Sequence, residues 1–372
     1  MPFMDRLFYT RMADQSLTGD ILEDSLCQQI LASPAVELLP LLTAAFEVRK
    51  EFAGREVTIH ILNNAQNGFC PEDCHYCAQA KTSQSEILEY PLKSDEEILE
   101  EARLAYARGA FRYCMVFAGR GPSPRRVEHL SRLIRLIKSK YNLSICVSCG
   151  LLDEEKANVL KAAGLDRLNH NLNTSEKHYP EICTTHSYAD RLNTLKAAQK
   201  AGLEICSGII VGMGESSDDI ISVAKTLRRL QSPSIPVNFF IPIPGNTVKN
   251  ASALTPEYCL RVLCLFRFLN PKAEVRVAAG REFHWRELEA LSLYPANSLF
   301  LDGYLNARGA ERRKTLQMIK DAGFSIKADF SIEELLKDEE GKKSPEKNDG
   351  GRVSLKGLSE LRPHATSSQA IG

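Results

Sequence analysis

At 372 residues, 44% apolar and 25% charged, the chain has ordinary globular composition and length enough for one α/β barrel with extensions. Lysine plus arginine equals aspartate plus glutamate at 47 each, so there is no overall basic field to track nucleic acid, and no apolar stretch approaches membrane-spanning length. Eleven cysteines, an odd number in a large chain whose first residues lack a secretory pattern, point to a reducing, cytoplasmic compartment and to thiols used as ligands rather than disulfides.

Residues 1–52 read as a helical extension, with apolar stripes over 20–30 and 36–46. From residue 57 onward short apolar segments alternate with longer amphipathic ones. Strands are expected at 57–62, 111–117, 143–148, 165–172, 204–211, 236–241, 274–279 and 298–301. The helices between them carry their own start and stop signals. Ser94 with Glu97 makes a capping box, Gly164 and Gly202 mark C-terminal stops, and Thr255 before Pro256 supplies an N-cap and a first helical residue. Eight strand–helix pairs over 53–330 predict an α/β fold, a (β/α)8 TIM-type barrel in preference to a doubly wound open sheet. Helices are also expected at 285–293 and 311–321, the last two of the series. Residues 331–372 read as a polar tail: one short helical piece at 332–336 precedes a run rich in charge, Gly, Ser and Pro, disordered for want of apolar surface to bury.

The densest chemistry follows the first strand, in Asn67-Gly68-Phe69-Cys70-Pro71-Glu72-Asp73-Cys74-His75-Tyr76-Cys77. Three thiolates at C-x3-C-x2-C spacing can hold three corners of a soft-metal site or an iron–sulfur cluster. No fourth ligand stands in the usual place, and an open corner marks a metal centre that admits substrate. The rival is a Cys3His zinc site completed by His75, in a non-catalytic binding module.

Three further cysteines and one arginine fall inside predicted strands: Cys114, Cys146, Cys206 and Arg276. Taken singly, each cysteine is a small buried hydrophobe. In a barrel, however, alternate residues face the lumen, so the four can converge beneath the loop cluster as a second site. Cys149 differs in parity from Cys146, while Cys27, Cys183, Cys259 and Cys264 fall in helices or connections and read as structural.

Asparagine is depleted in strands, which makes Asn169-His170-Asn171-Leu172-Asn173 unusual. Alternation puts the three amides on one face, with Asn238 at the equivalent depth two strands on. Amides that both donate and accept suit a neutral polar ligand such as a urea or a ribose; a solvated strand end with Asx turns is the plainer reading. His170 reads as a hydrogen-bonded interior histidine. Gly212-Met213-Gly214-Glu215 fails the G-x-G-x-x-G pattern, so no dinucleotide fold is read there.

The string from Gly68 to Gln79 resembles the signature of radical S-adenosylmethionine enzymes, and of the biotin synthase family among them. Tyr113-Cys114-Met115-Val116, Asn169-His170-Asn171-Leu172, Cys206-Ser207-Gly208 and Arg276-Val277-Ala278-Ala279-Gly280-Arg281-Glu282 continue the resemblance in order, over about residues 55–325. It implies a 4Fe–4S cluster on Cys70, Cys74 and Cys77, and a 2Fe–2S cluster on Cys114, Cys146, Cys206 and Arg276. Asn171, Asn173 and Arg191 would hold S-adenosylmethionine, and Asn169 and Asn238 the ureido ring of dethiobiotin. It further implies sulfur insertion into dethiobiotin, an external electron donor of flavodoxin or ferredoxin type, and a homodimer. Another radical enzyme of the same architecture, acting on a different small molecule, is the nearest alternative. Arg276 is chemically odd as a ligand, since a guanidinium stays protonated: either it is neutralised or it donates to a cluster sulfide. Asn173 departs from the family by standing where many members carry Asp, so a ribose diol would meet an amide.

Overall fold

The computed structural model describes residues 4–248, 251–340 and 353–365. Three helices come first, α1 (Arg6–Thr18), α2 (Asp24–Ala32) and α3 (Leu38–Ala53). The alternating body follows: β1 (Glu56–Gln66), α4 (Asp95–Ala107), β2 (Arg112–Phe117), α5 (Pro124–Lys140), β3 (Ser144–Ser148), α6 (Glu154–Ala162), β4 (Arg167–Asn169) and α7 (Tyr188–Lys200). It continues through β5 (Glu204–Cys206), β6 (Ile209–Val211), α8 (Ser217–Arg229), β7 (Ser234–Phe239), α9 (Pro256–Leu269), β8 (Glu274–Val277), α10 (Arg281–His284), β9 (Ser298–Leu301) and α11 (Arg312–Asp321). Last come β10 (Ser325–Ile326), α12 (Ile332–Asp338) and α13 (Leu358–Leu361).

All strand pairs are parallel, and β1 pairs with both β2 and β9, which closes the sheet into a barrel. The expected fifth strand is β5 and β6 in sequence, both against β7, so the barrel has the eight positions expected. Gly208 sits at the break. A Cβ there would lie 1.8 Å from the carbonyl oxygen of Pro236, so only glycine permits this approach of the two backbones. The two short pairs of β10 with Glu56 and Val57 lie at the N-terminal end of β1, away from the mouth.

Two expected elements take a different form. The strand read at 165–172 is regular only over Arg167–Asn169, and Asn173 has a left-handed φ of 71°. Asparagines bond their own surroundings in place of a ladder, and this chain ends the strand early to aim them. The helix expected at 285–293 is a 3-10 helix, Arg286–Leu293, preceded by the short α10. The first helix, α1, was outside both expected stripes: it buries Tyr9, Met12, Ala13 and Ser16 but leaves Leu7 exposed, so its apolar period is diluted.

The N-terminal helices cover α9, whose residues are buried from Cys259 to Leu269 on every side. Ser16 Oγ donates to the Phe268 carbonyl at 2.8 Å, and Arg261 Nη1 donates to that of Ile30 at 2.9 Å. A helix buried on every side needs such a second layer. At the other end of the chain, the expected disordered tail is described in part. Leu355 bridges to Ala307, and the buried Arg362 pairs with Glu97 at 2.9 Å. Residues 341–352 and 366–372 lie outside the described residues.

Candidate active site

Parallel strands present their C-terminal ends together, and there the barrel opens into a cavity of about 280 Å³. Cys70 and Cys77 lie on its lining together with Cys114, Cys146, Asn169, Asn171, Asn173, Arg191, Asn238 and Arg276. Apolar walls come from Val116, Ile210, Phe239 and Phe300.

The floor is built by strand register. Cys114 and Cys146 are direct partners across β2 and β3, and Asn169 is the partner of Cys206 across β4 and β5. The three thiols hydrogen-bond along the row: Cys146 with Cys114 on one side and Cys206 on the other. Cys206 and Cys146 are pushed up to about 12, Cys206 by its bond with Cys146 and then by burial, Cys146 by its bond with Cys114 and by burial, against a lowering bond with Cys206. Cys114 is lowered by its bond from Cys146, with Arg276 helping. Arg276, 1% exposed, donates from Nη1 to Cys206 Sγ at 3.6 Å, from Nη2 to Ser234 Oγ at 2.8 Å and from Nε to Ser298 Oγ at 3.0 Å.

Glu274 is the counter-ion that makes this arginine tenable, since residues two apart on a strand share a face. It also accepts from Arg167 Nη1 at 3.3 Å and Ser234 Oγ at 3.0 Å. Burial works against the cation, yet Glu274 and the sulfurs of Cys206 and Cys114 hold Arg276 above its ordinary range. Glu274 and the hydroxyls of Ser234 and Ser298 are partners for a protonated Arg276. His60 on β1 touches the same group, its Nε2 3.1 Å from Glu274 and its Nδ1 3.8 Å from Cys114 Sγ. Burial first, then Arg276, drives His60 down to about 3, so the imidazole is neutral and its contact with Glu274 is a hydrogen bond.

At the mouth, the carboxylates of the cysteine loop act as its anchors. Asp73 accepts from the backbone N–H of Thr184 at 3.0 Å and of Thr185 at 3.2 Å. Glu72 meets His186 Nδ1 at 2.5 Å and Arg120 Nη1 at 3.2 Å. Gln79 Oε1 accepts from the N–H of Gly68 at 3.0 Å. Cys70 and Cys77 are half-buried, and burial raises both, Cys77 to about 11. Cys74 is buried, with its sulfur 3.8 Å from Cys183 Sγ. That contact, with burial behind it, raises Cys74 strongly; the same contact lowers Cys183 to about 4 against the effect of burial, where His186 adds a second hydrogen bond. His75 does not join the thiols: its Nδ1 lies 2.9 Å from the carbonyl of Glu181.

The asparagines divide by partner. Asn169 Nδ2 donates to Cys206 Sγ at 3.2 Å, next to the floor. Asn238 is braced by backbone, giving one N–H to Ile209 O at 2.9 Å and accepting from Ala279 N at 3.2 Å. Asn171 lends its carbonyl to Arg191 Nη1 at 2.8 Å, and Asn173 Nδ2 donates to Tyr76 Oη at 2.5 Å. Arg191 is buried among Tyr179, Tyr76 and His186, which hold its plane. His170 is interior as expected, but its Nε2 has no hydrogen-bond partner among the described residues, and burial keeps the ring well below its ordinary range.

Every residue expected at a site lies on this one cavity or, for Cys74 and Cys206, directly behind it. Cys183, read as structural, instead stands against the loop motif. His60, Glu274, Tyr76 and His186 were missed. The Glu274–Arg276 spacing of two within a strand was the available signal; a single histidine in an apolar strand, or a contact 109 residues away between Cys74 and Cys183, offered none.

By donor chemistry, both thiol sets fit iron–sulfur clusters: three cysteines on one anchored loop, two of them on the cavity, and three thiols bonded in a row in the lumen. Among known proteins, residues 67–227 match the Radical SAM superfamily, and residues 236–325 the Biotin and Thiamin Synthesis associated domain. The chain is 57% identical to a biotin synthase of Magnetococcus marinus over 315 residues, 85% of this chain and 98% of the relative. It is 56% identical to one of Acaryochloris marina over 303 residues, 82% of this chain and 88% of the relative. The fold is shared with methylornithine synthase (TM-score 0.72, 20% identity, 87% of this chain and 100% of that one). It is shared too with the FeFe-hydrogenase maturase HydG of Carboxydothermus hydrogenoformans (TM-score 0.72, 18% identity, 87% and 80%).

Proposed function

The chain belongs to the biotin synthase family of radical S-adenosylmethionine enzymes, and from that premise we propose that its two thiol sets divide the reaction between barrel mouth and barrel floor. As a family member it is a sulfur-inserting enzyme that works with S-adenosylmethionine and a 4Fe–4S cluster. Cys70, Cys74 and Cys77 would hold that cluster. Cys114, Cys146 and Cys206 would hold a second, 2Fe–2S cluster, with Arg276 beside it. When bound, the two groups supply one-electron reduction of a sulfonium at the mouth and sulfur for insertion at the floor.

The observation that carries this reading is a single cavity with Cys70 and Cys77 at its rim, Cys114 and Cys146 on its floor and the asparagines between. Arg191 supports recognition of the S-adenosylmethionine carboxylate, since a planar, buried guanidinium pairs with carboxylates by charge-assisted bonds. Asn171 and Asn173 stand beside it for the amino and ribose groups. Asn169 and Asn238 lie deeper, where a ureido ring with two N–H donors and one carbonyl would meet amides able to answer both. Asn238, braced by Ile209 and Ala279, has its orientation fixed before any ligand arrives. Arg276 acts as a donor to sulfur, charge-balanced by Glu274. Val116, Ile210, Phe239 and Phe300 keep water from the space between rim and floor, which protects a primary carbon radical.

Dethiobiotin is the substrate of this reading. A flavodoxin- or ferredoxin-type donor, a homodimer and a cytoplasmic setting come with it by family. No helix among the described residues is long and apolar enough to cross a membrane. The test is anaerobic: metal-free chain reconstituted with iron and sulfide, then given S-adenosylmethionine, a reductant and dethiobiotin. Biotin together with 5′-deoxyadenosine is expected. Uptake of iron and sulfide with 5′-deoxyadenosine but no biotin would move the reading to another substrate, and no uptake at all would overturn it.

A further inference from the structure

Cys74 belongs to two sets of neighbours at once. One is the loop set with Cys70 and Cys77. The other lies behind the loop, where Cys183 Sγ is 3.8 Å from Cys74 Sγ, and 3.3 and 3.8 Å from Nδ1 and Nε2 of His186. The ligand atoms of Cys74, Cys183 and His186 all lie within 4.8 Å of one another, and all three residues are buried. Zn–S bonds of about 2.3 Å and Zn–N bonds of about 2.0 Å in a tetrahedron put two sulfurs about 3.8 Å apart and sulfur from nitrogen about 3.5 Å. The two sulfurs have that spacing at 3.8 Å, Cys183 Sγ lies 3.8 Å from Nε2, and the third edge is within 4.8 Å, which places the three near the corners of such a site.

The surroundings fit a cation as well. Glu72 Oε2 holds His186 Nδ1 at 2.5 Å, the carboxylate–histidine support that orients a ligating imidazole and leaves Nε2 as its ligand atom. Asp73 Oδ1, 3.3 Å from Cys183 Sγ, is the nearest oxygen for a fourth corner. Against the site stands Arg191, whose Nη2 is 2.9 Å from His186 Nε2 and would have to turn toward the cavity. Two thiolates and two carboxylates balance Arg191, the Arg120 guanidinium on Glu72 and a divalent ion together.

We propose that Cys74, Cys183 and His186 form a second metal site, which takes Zn2+ in the chain that lacks the loop cluster and so withholds Cys74 from it. The site itself stands on the spacing of its ligands; only the mutual exclusion rests on Cys70, Cys74 and Cys77 being the cluster ligands. Binding releases the protons of both thiols and changes no oxidation state. In this state the buried thiol pair is capped, and the loop is tied to the 182–186 segment through metal as well as through Asp73 and Glu72.

The test uses the full chain, stripped of metal and reduced under anaerobic conditions, with Co2+ as the probe and Zn2+ as competitor. One equivalent of Co2+ should give tetrahedral d–d absorption with a thiolate-to-cobalt charge-transfer band, and Zn2+ should abolish both. Cys70→Ala and Cys77→Ala should retain the spectrum. Cys183→Ser, which keeps the side-chain shape, should lose half of the charge-transfer intensity and bind at least about tenfold more weakly, as expected when a ligand or its support is lost. His186→Gln should weaken binding while leaving both thiolates on the metal. Preloading with one equivalent of Zn2+ should slow iron uptake in the wild-type chain and not in Cys183→Ser. A chain that binds no Co2+ overturns the proposal. So does an unchanged spectrum in Cys183→Ser, or a loss in Cys77→Ala equal to that in Cys183→Ser. Iron uptake indifferent to bound Zn2+ would overturn the exclusion alone.

Discussion

Asn169 Nδ2 points at the sulfur of Cys206, 3.2 Å away, across the register pair that joins β4 to β5. An amide assigned to the substrate's ureido group is thereby fixed beside the thiol row assigned to the sulfur source. Anything held by Asn169 is held next to the floor.

Asn169→Ala should therefore weaken dethiobiotin about tenfold, the equivalent of one or two neutral hydrogen bonds, and leave S-adenosylmethionine within about twofold. Calorimetry on the reconstituted chain measures both constants. Equal losses for the two ligands would remove Asn169 from the ureido role. Asn238→Ala should behave alike, with a further cost in stability, because Ala279 N and Ile209 O lose their buried partner.

Rim and floor should also separate by metal content. Cys146→Ala breaks the middle of the thiol row and should lower iron and sulfide by the share of the floor cluster, keep 5′-deoxyadenosine formation and lose biotin formation. Cys77→Ala should lose 5′-deoxyadenosine while the floor share remains. If both variants lose the same iron, the chain does not hold two independent clusters.

Much of this was legible in the sequence because strand alternation carries position as well as type. Alternation let Cys114, Cys146, Cys206 and Arg276 share one lumen, the resemblance grouped them, and the register pairs bring them together. Spacing puts Glu274 on the face of Arg276, but that it also meets His60 came only with the barrel closed. The cysteine loop was read for its thiols, while Glu72 and Asp73 find their partners more than a hundred residues on, at Thr184, Thr185 and His186. Local spacing cannot show such a contact, and Cys183 was taken as structural for that reason. The composition of the tail predicted disorder, yet Arg362 reaches Glu97, a residue already committed to the capping box of α4.

That ion pair makes a pH prediction. Burial disfavours the Glu97 carboxylate, but Arg362 and the N–H of Ser94 lower it below the ordinary value of 4.5. A depressed folded pKa contributes stability that is present above the unfolded value and is lost as pH falls through the folded one. Arg362→Gln should cost roughly 1–3 kcal/mol at neutral pH, as for hydrogen bonds to a charged group, and the difference from wild type should shrink below about pH 4. Urea unfolding across pH measures it; a penalty that stays constant down to pH 3 would mean that the Glu97 charge is not involved.

The break between β5 and β6 sets the last expectation. A methyl group at Gly208 meets Pro236 O at 1.8 Å and Pro236 C at 2.8 Å, both backbone atoms of β7 that cannot step aside without opening the ladder. Gly202 is the control: its φ of +75° penalises a side chain, but an added Cβ finds nothing nearer than Lys161 Cε at 3.8 Å. Gly202→Ala should then cost about 1 kcal/mol, the strain of a left-handed residue. Gly208→Ala should cost about 3 kcal/mol or more, since overpacking here displaces backbone and not a rotamer. Because Cys206 and Asn238 flank the contact, Gly208→Ala should also reduce iron and sulfide retention, which Gly202→Ala should leave intact. Thermal unfolding of the two variants side by side decides it: equal, mild losses would show that β5 and β7 are free to separate at Gly208.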